Sequence, residues 1–158
     1  MTLHAFLRGI NIGGHHKVPM ATLRTVFEAM GFTSVRTLLN SGNVTFDSDC
    51  ADLGALERVI ETRLTDVFGF PIPVMIRTDE SLRAFVASSP FALIRSEAKD
   101  PDIRLYITFP RSGDNNPTVV DLRDSNTIKA MEEFERRLGK DITTRNWDTV
   151  LKLCANSP

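Results

Sequence analysis

The chain is poor in the residues that classify small proteins at a glance. Its 158 residues hold two cysteines, one tryptophan, one tyrosine and three histidines. Cys50 and Cys154 lie far apart and form no CxxC pair, which removes the ligand spacing of structural zinc and points to two reduced thiols. His15 and His16 are adjacent, so they cannot copy the i, i+4 spacing of helical metal ligands, and neither metal nor cofactor is expected. No apolar run approaches the ~20 residues needed to cross a bilayer. The opening MTLHAFLRGIN lacks the basic segment, apolar stretch and small-residue cleavage site of a secretory signal. These absences predict a cytoplasmic protein without a membrane partner. A net charge of −1 supplies no bulk attraction to nucleic acid.

What is present is an ordinary globular composition, 42% hydrophobic and 25% charged, enough for one domain or two very small ones. Leu3 to Arg8 reads as a strand. Leu23, Val26, Phe27 and Met30 recur at helical spacing after Pro19 and before Gly31. Ser34 to Leu39 and Val44 to Phe46 flank NSGN, residues 40–43, as a β-hairpin would. Leu53, Leu56, Ile60, Leu64 and Val67 mark a second helix closed by Gly69, and PIPVMIR, residues 71–77, reads as a strand whose prolines favour an edge position or the strand's beginning. The resulting order, β-α-β-β-α-β, predicts an α+β fold whose residues 1–77 form a ferredoxin-like unit. Residues 78–158 are expected to form a shortened second αβ unit: a short helix capped by Thr78, a strand at Ile103–Phe109, a second strand at Thr118–Leu122, a charged helix at Ser125–Leu138, and a terminal helix carrying Trp147 with Thr144 as its cap.

The connection RGINIGGHHKVP, residues 8–19, gathers three glycines, one asparagine, two histidines and two basic residues. In a ferredoxin-like unit it emerges at the same end of the sheet as the 40–43 hairpin. Two loops rich in hydrogen-bonding groups are thus predicted to converge. Arg8 and Lys17 would supply charge, Gly13 and Gly14 close backbone approach, and Asn11, Asn40, Ser41 and Asn43 directional hydrogen bonds. The expected partner is a small anionic, phosphate-bearing ligand. Catalytic residues cannot be assigned. Gly9 and Gly14 have the glycine spacing of a P-loop, but His15-His16 stands where Lys and Ser/Thr are needed, and no G-x-S-x-G supports Ser41 as a nucleophile.

Three stretches, RGINIGGHHKVPMATLR, GFTSVRTLLNSGNVTF and TTRNWDTVLKL, resemble a bacterial family catalogued as domain of unknown function 1697. The resemblance implies a pair of ferredoxin-like αβ units and no established activity or cofactor. It adds Arg145 and Asn146 to the candidate site. The chain departs from the family pattern between roughly Phe109 and Ser125, where the second unit looks abbreviated. The principal rival function is a structural or protein-interaction module. Weaker rivals are an enzyme and an RNA-binding domain, the latter lacking the basic-aromatic strand pattern such modules use. Edge strands leave a homo-oligomer open.

Overall fold

The computed structural model describes residues 1–88, 104–112, 118–122, 135–136, 139 and 141–156. Strand β1 (Thr2–Leu7) leads into α1 (Met20–Ala29), β2 (Thr33–Leu38), β3 (Asn43–Asp47), α2 (Leu53–Phe68) and β4 (Val74–Thr78). Then follow α3 (Asp79–Ala87), β5 (Arg104–Pro110), β6 (Thr118–Leu122), β7 (Ile142–Asn146) and α4 (Trp147–Asn156). The molecule is α+β. The helix expected at 125–138 falls outside the described residues apart from 135 and 136, as do residues 113–117 and 123–124 of the segment expected to be abbreviated.

Local chemistry sets the boundaries. Asp52 Oδ1 accepts from the Ala55 amide to cap α2, and Gly69 leaves that helix in the left-handed conformation at φ +81°. Thr78 caps α3 through the Ser81 amide, with Asp79 and Glu80 in its first turn, where the helix dipole favours acids. Pro19 sits one place earlier than its spacing suggested: it is the extended residue before α1, not the first helical one.

The strands pair antiparallel in two sheets, ordered β2-β3-β1-β4 and β6-β5-β7. Period-two alternation gives the first sheet two different faces. Leu3, Ala5, Leu7, Val44, Phe46, Val74 and Ile76 meet Leu23, Phe27, Ile60 and Leu64 of α1 and α2 in one core. Phe6 and Met75 point the other way, into a second core with Ile107 and Phe109 of β5 and Trp147, Val150 and Leu153 of α4. Phe6 and Phe109 stack nearly parallel, with ring centroids 4.2 Å apart. The sheet face on which RNA-recognition modules stack bases is therefore covered by this molecule's own second sheet and helices. Phe46 lies on the opposite face, packed with Phe27 and Phe32.

One strand differs from expectation. ITTRN, residues 142–146, is β7, the partner of β5, so Thr144 is a strand residue that hydrogen-bonds Thr108 and does not cap α4. Asn146 Oδ1 takes the capping role, accepting from the Asp148 amide at 2.8 Å. The β-branched run Ile142-Thr143-Thr144 was the available signal.

Candidate functional site

The two loops meet. Leu7 N donates to Gly42 O at 2.9 Å, extending the β1–β3 ladder into the 40–43 hairpin. Asn11, held at φ +54°, bridges the rest: its Nδ2 donates to Asn40 O at 2.8 Å and Val18 O at 3.0 Å, while its Oδ1 accepts from Val18 N at 2.8 Å. Gly42 suits the crossing because its φ is +86° and an added Cβ would stand 3.0 Å from Leu7 Cβ as well as 2.6 Å from Ile10 Cδ1.

Gly13 and Gly14 have a different role from the one expected. His15 N donates to Ile12 O and Asn11 N to His16 O, so residues 11–16 form a miniature hairpin. Positive φ at both central glycines, +58° and +77°, makes its tip a type I′ turn. That tip is solvent-exposed and separated from the start of α1 by the five residues 15–19, so it is no cradle at a helix N-terminus. His16 anchors the hairpin's return strand by stacking on Phe70, centroids 4.2 Å apart.

Beside the hairpin opens a cleft of about 480 Å³. Asn11, Asn40, Ser41, Arg145 and Asn146 line it, with Ile12, Tyr106, Thr144 and Thr149 among the remaining walls. Arg8, Gly13, Gly14, Lys17 and Asn43 do not line it. Arg8 is engaged elsewhere, donating to Ile142 O at 2.7 Å and ion-pairing with Glu135. Lys17 is exposed beyond the hairpin. Asn43 is wholly buried, a linker that accepts from Arg145 and donates to Leu38 O and Ser41 Oγ.

Arg145 is the floor of the cleft. Its Nε donates to Asn43 Oδ1 at 2.6 Å, its Nη1 to Thr143 Oγ1 and Thr144 O, and its Nη2 to Leu7 O at 2.5 Å and also to Ser41 O and Gly42 O. The guanidinium also lies over the Phe6 ring, 5.7 Å from its centroid. Burial brings its pKa down to about 10, so it remains charged at neutral pH. Among the described residues no carboxylate forms an ion pair with it. Among the described residues, the cleft thus rests on a buried positive charge balanced by carbonyl, hydroxyl and amide dipoles.

Sequence reasoning passed over His4. Its Nδ1 lies 2.9 Å from Thr45 Oγ1 and its Nε2 2.7 Å from Asp79 Oδ1. Only strand register brings these three together, so no local motif announces them.

Fold and site define an α+β protein of two stacked sheets with a polar cleft and no assigned activity. Residues 1–139 match the family model described as "Protein of unknown function (DUF1697)", and the chain belongs to that family. The TTRNWDTVLKL stretch lies beyond the matched residues. The chain is also similar to the solved structure of the conserved bacterial protein SP0830 from Streptococcus pneumoniae. Their TM-score is 0.75 and their identity 22%, over 98% of this chain and 97% of that one. Identity at that level carries the fold alone. No curated protein matches. Among the described residues no helix is long and apolar enough to cross a membrane.

Proposed function

We propose that the chain binds a small anionic ligand in the cleft between the 11–16 hairpin, the 40–43 hairpin and β7. The observation that carries this reading is Arg145, which forms no ion pair among the described residues, beneath a wall of amides and hydroxyls. A fixed positive charge in a partly desolvated cleft favours an anion without any reorganisation of the protein. Every N–H of that guanidinium is already directed at an acceptor within the chain, so the ligand's hydrogen bonds come from Asn40, Ser41, Asn146 and Thr149 while Arg145 contributes field. Phosphate-bearing and carboxylate-bearing ligands are the two chemistries this suits. The strand order β2-β3-β1-β4 supports a ferredoxin-like first unit, and two unpaired thiols support a cytoplasmic setting.

A second reading has its own observation. Arg145 joins β7 to the ends of β1 and β3 so completely that the convergence serves as architecture alone, with the hairpin free for a protein partner. Thermal shift with orthophosphate, adenosine monophosphate and citrate separates the two. A ligand at 100 times its Kd stabilises by about 2.7 kcal/mol. The binding reading expects a raised Tm in the wild type, a smaller rise in Ser41→Ala and Asn40→Ala, and no change for Lys17→Ala. Equal shifts in wild type and both cleft variants, or no shift with any of the three, overturn it.

A further inference from the structure

The first sheet carries a polar row on the face turned away from α1 and α2. Arg36, Thr45, His4 and Arg77 are successive cross-strand partners on β2, β3, β1 and β4. Partners directly opposite sit about 5 Å apart between Cβ atoms, close enough for their side chains to meet. His4 has no solvent exposure, and both of its ring nitrogens are engaged, by Thr45 and by Asp79. The other Asp79 oxygen accepts from Arg83 Nε at 2.6 Å. An ionised carboxylate can only accept, so Nε2 carries the imidazole hydrogen. Burial, outweighing the opposing pull of Asp79, lowers the His4 pKa below its ordinary value. The ring is therefore neutral at pH 7, and its Nδ1 accepts the Thr45 hydroxyl hydrogen.

A buried histidine with two satisfied nitrogens needs no further explanation, but Thr45 does more than satisfy it. Its side also belongs to a cleft of about 460 Å³ at the β2 edge, walled by Arg24, Arg36, Thr37, Leu38 and Leu153. Arg24 is paired with Glu28, while Arg36 donates to Asn156 O and forms no ion pair among the described residues. That leaves the mouth positively charged.

The geometry points to a second site, independent of the Arg145 cleft, in which Thr45 is a base-activated nucleophile for the acyl group of an ester bearing an anionic substituent. Hydroxyl, imidazole and carboxylate stand in the order that nucleophilic acyl transfer requires. Thr45 Oγ1 forms a bond to the acyl carbon as its proton passes to His4 Nδ1. The ester C–O bond breaks and the departing oxygen takes that proton, leaving as the alcohol. A water then attacks the acyl-threonine through the same proton relay, releasing the acid and restoring Thr45. One water is consumed for each ester cleaved. Asp79 is a positioning residue that holds the tautomer, and Arg36 attracts the anionic substituent.

The test uses the full chain with 4-nitrophenyl hemisuccinate, neutral 4-nitrophenyl acetate and a fluorophosphonate that phosphonylates hydroxyls with loss of fluoride. One adduct is expected, mapping to Thr45, absent from Thr45→Val and retained in Thr45→Ser. Hemisuccinate hydrolysis should fall about 100-fold or more in Thr45→Val and persist in Thr45→Ser. Arg36→Ala should raise KM for the hemisuccinate several-fold more than it raises KM for the acetate. Asp79→Asn should displace the pH profile of kcat/KM. His4 faces Thr45 from β3, Asp79 and Arg83 from α3, Arg36 from β2 and Arg77 from β4, while Cys154 on α4 lies in the field of Asp79 and Arg83, so the profile reports this whole cluster. A natively folded wild type with no adduct on Thr45, or equal turnover by a natively folded Thr45→Val, overturns the proposal and leaves the three residues a satisfied buried cluster.

Discussion

Arg145 Nε stands 2.6 Å from Asn43 Oδ1, joining residues 102 apart in sequence inside the core. Removing the guanidinium takes the donor from Leu7 O and Asn43 Oδ1 together, while Gly42 O keeps the Leu7 amide. Each buried orphan costs roughly 1–3 kcal/mol. Arg145→Met should therefore lose about 4 kcal/mol or more by urea denaturation. Arg145→Lys should recover only part of this, because an ammonium cannot reproduce the planar fork.

His4 predicts a specific acid sensitivity. Its pKa is lowered in the folded protein, chiefly by burial, so below about pH 6.5 the unfolded chain takes up a proton that the folded chain refuses. Stability should fall with pH in that range, by up to about 1.4 kcal/mol per pH unit, and level off below the folded value. Above pH 6.5 the group contributes no slope. Denaturation midpoints across pH 4.5–8 should show this extra slope in wild type and lose it in His4→Gln.

Two glycines with the same sign of φ should respond differently to alanine. Gly42→Ala combines left-handed strain of about 1–2 kcal/mol with a clash against Ile10 and Leu7, for a loss of roughly 3 kcal/mol. Gly13→Ala has no atom within 4 Å of its new Cβ and carries only the strain. Gly13→Asn, a residue that tolerates the conformation, should be milder still. Thermal melts of the three variants rank them.

The Phe6–Phe109 stack couples the sheets. Phe6→Ala should cost about 3–5 kcal/mol and raise amide exchange in β5 and β7 before α1 and α2, because the second core loses its bridge. Uniform deprotection throughout the chain would count against that coupling.

Much of the backbone was legible because it follows local rules. The apolar stripes of α1 and α2, Thr78 as a cap, and Gly69 as terminator are all decided within a few residues. β7 escaped because ITTRN is short and runs straight into the apolar helix after it, so no turn residue marks the boundary. The loop convergence followed from strand order, yet the roles inside it did not. Arg8 meets Glu135 across 127 residues, and most acceptors of Arg145 are main-chain carbonyls, which carry no side-chain signature. Gly13-Gly14 suggested a ligand cradle because paired glycines serve both cradles and type I′ turns. Only the Ile12–His15 bridge decides between them.

The exposed tip at Gly13 and Gly14 has a practical consequence. Its two strands are closed by their own hydrogen bonds, Asn11 and His16 moor its base, and Ile12 already forms part of the cleft wall. Extra residues inserted between the glycines would overhang the mouth without entering either core. Lineages or engineers could thereby lengthen this finger to change what enters, while the scaffold underneath stays the same.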